Sequence, residues 1–196
     1  SVLEATPELR DRLAIAATSP GCLTTALERA AAGETAEWTV HGATRFEPGK
    51  LVFLFPGQGA QRLGMGRELY ASWSAFGEAL DRCAGLFDKE LPRPLKEVMW
   101  AAPGSAAAAL LEQTQYTQPA LFALGFALAA LWRSWGVTPD LLCGHSLGEL
   151  VAACVAGVFS VEDGVRLCAA RGRLMQALPA NGAMVSISAT EAEVAK

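Results

Sequence analysis

The chain has 196 residues, 52% of them hydrophobic, which is enough for one sizeable core with a smaller appendage. Sixteen basic and twenty acidic side chains give a formal charge of −4, which argues against nucleic acid or a membrane surface as the main partner. The longest apolar run, 120–132, is too short to span a bilayer, and no secretory signal is visible. Five scattered cysteines without a C-x-x-C pair are typical of core residues in a reducing cytoplasm, where we expect the protein to act.

The first elements along the chain form an α/β piece that is too small to fold alone. Residues 12–17 read as a strand, and Ser19-Pro20 opens a helix. The pattern from 34 to 50 is irregular and ends in a Pro-Gly turn signal, which indicates a boundary. We therefore expect residues 1–45 to belong to a separate unit beside the main domain.

A continuous apolar run at 51–55 is typical of a strand buried on both faces of a parallel sheet. The glycine-rich turn that follows fails both phosphate-binding patterns: the last position of G-x-G-x-x-G is Arg62, and no Lys-Ser/Thr pair completes a P-loop. Two interpretations of Gln58 in this turn remain open. It is either a site residue at the carboxyl end of a strand or a cap for the next helix.

Helical periodicity dominates the middle of the chain. Apolar residues at steps of three and four predict one long amphipathic helix over 69–87, and a Pro-rich turn and a short helical piece come next. Residues 113–119 then lead into a buried helix that Gly136 ends. Strands and helices in alternation predict an α/β fold whose parallel sheet is covered by helices on both faces.

The sequence changes from strand to helix at Ser146. The apolar run 141–143 is cut by Gly144, and apolar residues then recur at helical spacing. A G-x-S-x-G nucleophile elbow needs this context, because glycines on both sides allow a sharp turn from which the serine oxygen projects. The helix N-terminus also favours a developing oxyanion. A catalytic Ser146 is our main interpretation, and an ordinary N-capping serine is the alternative.

One arginine of the next helix lies on an unusual face. The helix predicted over 160–178 carries Arg171 in register with its apolar residues, whereas Arg166 and Arg173 lie on a solvated face. A guanidinium on an apolar face needs an anion, because burying it unpaired is costly. A protein carboxylate and a substrate carboxylate both satisfy this need, since the bidentate fork suits either.

Four motifs occur in order: F-P-G-Q-G-A-Q at 55–61, Q-T-Q-Y-T-Q-P-A at 113–120, G-H-S-L-G-E at 144–149 and R-G-R-L-M at 171–175. With them, the sequence over 50–196 closely resembles the acyltransferase domains of modular type I polyketide synthases, relatives of the malonyl-CoA:acyl carrier protein transacylases.

The resemblance implies a fold and a domain organisation. Residues 50–180 would form a hydrolase-like core, with a parallel sheet covered by helices. Residues 181–196 would begin a ferredoxin-like small subdomain, in which 183–187 reads as a strand and Thr190 opens a helix. Residues 1–45 would end the linker that joins a preceding ketosynthase domain to the acyltransferase.

The resemblance also implies site residues. Ser146 matches the nucleophile that attacks the thioester of an acyl-CoA. Gln58 matches the residue lining the oxyanion hole, whose second donor is the backbone N–H of Leu147. Arg171 matches the arginine that pairs with the free carboxylate of a malonyl unit. His145 matches a supporting residue, because a neighbour in the elbow points away from the serine oxygen.

An unassisted serine is a weak nucleophile, so the reaction needs a base. The resemblance implies that this base is a histidine that follows the serine by roughly a hundred residues. The one other histidine of this chain, His41, lies in the linker segment. We therefore expect the base to lie beyond Lys196, and the 196 residues alone to be nearly inactive as part of a longer domain.

The implied reaction loads an extender unit onto Ser146 and then onto the phosphopantetheine thiol of an acyl carrier protein, in polyketide (secondary metabolite) biosynthesis. Malonyl-CoA is the expected substrate, because the small apolar Leu147 resembles malonyl-selecting members. No bound cofactor or metal is implied. The alternatives are a serine esterase or thioesterase on the same elbow, and a non-catalytic structural fragment that holds neighbouring modules.

Overall fold

The computed structural model divides the chain into two compact units, 1–49 and 50–196. It describes residues 11–43, 49–179, 182, 185 and 187–195. The α/β class expected from the sequence is confirmed, since the structure combines a parallel strand pair with packed helices. Within the described residues, no helix combines the length and apolarity that a membrane crossing requires.

The first unit contains one antiparallel strand pair and one helix. Its elements are β1 (Asp11–Ile15), α1 (Pro20–Ala31) and β2 (Thr39–Ala43). The irregular pattern expected over 34–50 is wrong where β2 forms. This strand is exposed along most of its length and has no apolar run to reveal it, so it is specified by pairing with β1.

The second unit holds two strands and eight helices in the part of the chain that the structure describes. They are β3 (Val52–Phe55), α2 (Arg67–Ser72), α3 (Ser74–Phe87), α4 (Leu95–Met99), α5 (Ala106–Leu110), α6 (Thr114–Ser134), β4 (Leu141–Gly144), α7 (Leu147–Val155), α8 (Val161–Gln176) and α9 (Glu191–Val194).

Strands β3 and β4 pair in parallel, from Val52 opposite Leu141 to Phe55 opposite Gly144. The expectation that β3 is buried on both faces is wrong in this structure. Phe55 is 8% exposed, but Leu54 is 74% exposed. The apolar run therefore has one covered face and one open face. A groove of about 410 Å³ is lined by β3 together with α6.

Helix α6 is the centre of the core and packs against α3, α7 and α8. Its Phe122 is fully buried and meets Phe87 of α3 edge-on, with ring centroids 5.8 Å apart. Gly164 of α8 fits beneath the same ring, since a Cβ there would lie 2.8 Å from it. Burial of each large apolar side chain contributes about 1.5–3 kcal/mol, so this packing fixes α3 and α8 against α6.

The long helix predicted over 69–87 is instead two helices. Trp73 separates α2 from α3 with extended backbone angles, φ −134° and ψ 110°. Its ring meets Trp135 edge-on, with centroids 4.9 Å apart. The apolar period continues across the break, which is why periodicity alone predicted one helix.

Helix α6 begins at Thr114, so Pro119 lies inside the helix. The prediction that residues 113–119 only lead into this helix is therefore wrong. Pro119 lacks the N–H that would bond the carbonyl four residues earlier, so the helix loses one hydrogen bond. Pro119 and both of its neighbours are buried in the core. Tertiary packing therefore outweighs the local preference against proline in a helix.

Near the end of the chain, the helix start predicted at Thr190 is confirmed. Thr190 and Glu193 form a reciprocal capping box at the start of α9. The strand predicted over 183–187 lies largely outside the described residues.

Candidate active site

Ser146 occupies a sharp corner between β4 and α7, as the strand-to-helix pattern predicted. Its backbone lies at φ 54° and ψ −110°. Residues other than glycine rarely adopt this region, which costs of order 1–3 kcal/mol. The Ser146 side chain is exposed and makes no capping hydrogen bond to α7. The alternative of an ordinary N-capping serine is therefore wrong.

The glycines of the elbow are required by close backbone contacts. A Cβ on Gly144 would lie 2.0 Å from the carbonyl carbon of Gly148. A Cβ on Gly148 would lie 2.1 Å from the carbonyl oxygen of Phe55, at the end of β3. The backbone N–H of His145 donates to that same oxygen at 3.0 Å. The elbow is thus pressed against the end of the neighbouring strand, and any side chain larger than hydrogen would separate them.

The side chain of Arg171 reaches from α8 to the serine. Its Nη2 donates to Ser146 Oγ at 2.9 Å, and its Nη1 donates to Gln118 Oε1 at 2.7 Å. None of the ion pairs among the described residues involves Arg171. No carboxylate among the described residues therefore neutralises Arg171, which favours the substrate carboxylate of the two anions considered for it.

Close contact between two helices brings Arg171 to this position. A Cβ on Gly172 would lie 3.1 Å from the Cα of Gln115 and 3.2 Å from the Thr114 carbonyl oxygen, so α8 packs tightly on the first turn of α6. Cys168, one turn before Arg171, is fully buried, and this burial raises the pKa of its thiol. Arg171 lies half-buried at the edge of that core.

The apolar face predicted for α8 is only partly covered. Met175 is 41% exposed and Leu178 is 66% exposed, so the face opens to solvent beyond Arg171. The solvated positions are confirmed, because Arg166 and Arg173 are both exposed. The guanidinium of Arg171 therefore lies where an incoming ligand can reach it.

Gln58 lies in the turn after β3 and is exposed. Its side-chain amide donates to Thr114 Oγ1 at 3.2 Å. Gly66 is the N-cap of the next helix, so the interpretation of Gln58 as a helix cap is wrong. The turn is held by Gln61, whose Oε1 accepts from the Gly59 N–H at 2.8 Å.

Two backbone donors lie at the ends of segments that meet at the elbow. Leu147 is the first residue of α7, where the first N–H groups have no partner within the helix. Among the described residues, neither the Leu147 N–H nor the Gln58 N–H donates a hydrogen bond. The Leu147 side chain is 1% exposed and packs in the core, so only its backbone is available to a ligand.

His145 is exposed, and its ring lies over Gly57, with Nδ1 2.6 Å from the position of a Cβ there. In the described part of the chain, the partner of Ser146 Oγ is Arg171, and no histidine nitrogen bonds it. His41 lies in the first unit, on β2. No group of three or more metal-ligating side chains is gathered among the described residues.

Three residues of this arrangement were not predicted from the sequence. Gln118 holds Arg171, Thr114 holds the Gln58 side chain, and Gly57 accommodates the His145 ring. A signal for Gln118 was available, because a glutamine in a segment that leads into a buried helix needs a polar partner. Its actual partner lies 53 positions away along the chain, and the local pattern contains no information on that distance.

A strained, exposed serine between a parallel strand and a helix defines the class of serine enzymes that use a nucleophile elbow. The hydrogen bond from Arg171 to the Ser146 hydroxyl distinguishes this site from the Ser-His-Asp triad of a hydrolase.

Comparisons with known proteins identify the family within that class. The family described as acyl transferase domain matches residues 52–196. Among curated relatives, the spectinabilin polyketide synthase system protein NorB of Streptomyces orinoci is 60% identical over 146 residues, 74% of this chain and 7% of that protein. Polyketide synthase GfsA of Streptomyces halstedii is 48% identical over 193 residues, 98% of this chain and 3% of that protein.

A solved structure shows the same similarity in three dimensions. The acyltransferase domain from the second module of the salinomycin polyketide synthase superposes with a TM-score of 0.84 at 48% identity, covering 94% of this chain and 42% of that one. The chain thus spans only a small part of these curated relatives. It belongs to the acyl transferase domain family, and the resemblance to acyltransferase domains of modular polyketide synthases is confirmed.

Proposed function

We propose that this acyltransferase domain transfers a malonyl extender unit from malonyl-CoA to an acyl carrier protein through an ester on Ser146. The observation that carries the proposal is the Arg171 guanidinium, 2.9 Å from Ser146 Oγ and without a carboxylate partner among the described residues. A malonyl thioester carries a carboxylate two carbons from the carbonyl that the serine attacks. The Arg171 guanidinium suits the carboxylate of the malonyl group, and Ser146 Oγ suits its thioester carbonyl.

In the first half-reaction, Ser146 Oγ bonds to the thioester carbonyl carbon, and the hydroxyl proton passes to a base. The carbonyl oxygen becomes an oxyanion that the backbone N–H groups of Leu147 and Gln58 stabilise as donors. Collapse of the intermediate breaks the C–S bond and releases coenzyme A as a thiol after protonation. Support for these donors comes from their lack of partners among the described residues and from the contacts between their neighbours, Gly57 with His145 and Gly148 with Pro56.

The proton acceptor in this proposal is a histidine of the complete protein, as the family resemblance implies. His145 has a supporting role, since its backbone N–H holds the elbow to Phe55 and its ring lies over Gly57. In the second half-reaction, the phosphopantetheine thiol of the carrier protein attacks the Ser146 ester, and the serine regains its proton. No metal takes part in either half-reaction.

Arg171 selects for an acyl group with a carboxylate, which malonyl and methylmalonyl share. Malonyl is proposed from the resemblance at Leu147. Because that side chain is buried, its influence on the extender unit acts through the backbone of the elbow. We place the domain in a cytoplasmic synthase beside a ketosynthase, with residues 1–45 as linker, 50–180 as the large subdomain and 181–196 as the start of the small one.

The test compares two acyl donors in an active protein that contains this chain. Arg171→Ala should lower kcat/KM for malonyl transfer about 100-fold, because a charge-assisted bidentate contact is lost, while acetyl transfer changes little. Arg173→Ala is the matched control, since this exposed arginine lies two residues away on the same helix. Equal losses for malonyl and acetyl in Arg171→Ala would remove the carboxylate role.

A serine esterase on the same elbow would release the acyl group to water. Mass measurement of a labelled acyl group separates the two functions: transfer predicts label on the carrier protein thiol, and hydrolysis predicts free acid. Arg171 has a neutral amide and a hydroxyl as its partners, which favours transfer of a dicarboxylic acyl group. An esterase for neutral acyl chains would bind no anion that could pair with this guanidinium.

A further inference from the structure

Gln118 is a fully buried polar side chain whose partners both lie on another helix. The adjacent Thr117 is equally buried, but its hydroxyl serves the backbone, donating to the carbonyl oxygens of Leu111 and Gln113. Thr117 therefore has an ordinary structural role at the start of α6. Gln118 needs a different explanation, because burying an amide is costly unless its partners are specific.

The amide of Gln118 bridges two residues on one face of α8. Its Oε1 accepts from Arg171 Nη1 at 2.7 Å, and its Nε2 lies 3.3 Å from Met175 Sδ. Arg171 and Met175 are four residues apart, one turn of the helix. Gln118 thus holds one nitrogen of the guanidinium while the other, Nη2, contacts Ser146 Oγ. The orientation of the guanidinium is set from both ends.

The neutral charge of the amide has a chemical consequence. A carboxylate at position 118 would hold Arg171 equally well but would neutralise it. The four ion pairs among the described residues, by contrast, all match a basic side chain with a protein carboxylate. An amide acceptor orients the guanidinium and leaves its positive charge for an anion of the ligand.

We propose that Gln118 is a positioning residue that confers selectivity for carboxylated acyl groups by holding Arg171 without neutralising it. The inference rests on the proposed function, because it concerns how Arg171 meets the carboxylate of the acyl group. Gln118 acts through Arg171 and does not itself contact the reacting carbonyl.

The test uses two variants of Gln118 in an active protein that contains this chain, with kcat/KM measured for malonyl-CoA and acetyl-CoA. Gln118→Glu should lower the malonyl value about 10- to 100-fold, because the new carboxylate competes with the substrate for Arg171. Gln118→Leu should lower it about tenfold, mainly through KM, because the guanidinium loses its tether but keeps its charge. Acetyl transfer should change by less than about threefold in both.

Thr117→Val is the matched control, since it removes a hydroxyl of equal burial from the preceding position of the same helix. It should lower the thermal midpoint of unfolding and leave the malonyl-to-acetyl ratio unchanged. If Gln118→Glu does not fold, the ratio and the KM effect in Gln118→Leu carry the test.

Three outcomes would overturn the inference: equal losses for both donors, a wild-type ratio in the Gln118 variants, or a larger ratio change in the leucine than in the glutamate variant. The proposed function fails separately, when the unmodified protein does not transfer malonyl at all.

Discussion

Two S-x-G sequences in this chain follow a strand and start a helix, yet they form different structures. Ser19, before α1, has extended backbone angles, φ −151° and ψ 160°, and its hydroxyl accepts from the Cys22 N–H at 3.2 Å. Ser146, before α7, lies at φ 54° and ψ −110°, and its hydroxyl accepts from Arg171. The first serine caps its helix, and the second leaves its helix uncapped.

The difference originates in what surrounds each turn. At Ser146 the end of β3 presses on Gly148, whereas a Cβ on Gly21, the corresponding glycine after Ser19, would have Ser19 Oγ at 4.0 Å as its nearest contact. Crowding by a neighbouring strand forces the elbow into its strained geometry, which turns the hydroxyl away from the helix N–H groups. Among the described residues the Leu147 N–H at the start of α7 keeps no partner, and the Ser146 hydroxyl is not used as a cap.

The largest expected difference between the two serines is chemical. Ser146→Ala should reduce acylation by malonyl-CoA about 10⁴-fold or more, because the atom that forms the ester is removed. The measurement is the mass of the Ser146 peptide after an active protein that contains this chain is incubated with malonyl-CoA and digested. Ser19→Ala is the control and should acylate at the normal rate. Persistent acylation of the Ser146→Ala protein would show that the nucleophile is another residue.

The two glycines should differ strongly in their effect on stability. Gly148→Ala should destabilise the protein by about 3 kcal/mol or more, because a Cβ 2.1 Å from the Phe55 carbonyl oxygen forces backbone to move. Gly21→Ala should stabilise the first unit by roughly 0.5 kcal/mol, since the added methyl meets open space in a helix. Denaturant unfolding followed by circular dichroism measures both. Similar stability changes at the two positions would contradict the crowding argument.

The smallest expected effect concerns the capping serine. Ser19→Ala should cost about 1 kcal/mol of local stability, because the Cys22 N–H loses its acceptor. The same change should bring the lowered pKa of the exposed Cys22 thiol back toward its ordinary value, since the Ser19 hydrogen bond is the largest cause of that lowering. A higher pKa leaves less thiolate at pH 8, so alkylation of Cys22 should slow.

Amide exchange at Cys22 and the rate of Cys22 alkylation measure the two effects. Cys143, the other exposed cysteine, is the internal control for reagent access. Unchanged exchange at Cys22 in Ser19→Ala would mean that the cap contributes nothing to α1. Ser146→Ala should leave the local stability of α7 nearly unchanged, because no cap is lost there.

Features that depend on a few neighbouring residues could be predicted from the amino-acid sequence alone. The strand-to-helix change at Ser146, the cap at Ser19, the capping box at Thr190 and the odd face of Arg171 were all predictable. Each follows from backbone preference or from periodicity within about two helical turns. The family resemblance came from the order of four short motifs.

Features that depend on contacts between distant segments could be seen only in the folded protein. The pairing that makes β2, the break at Trp73 and the open face of β3 were not predicted, because each depends on which surface packs beside it. The neutral acceptor for Arg171 is also a tertiary feature, since Gln118 lies on a different helix. Local sequence specifies which side chain lies on which face, and only packing specifies what that face meets.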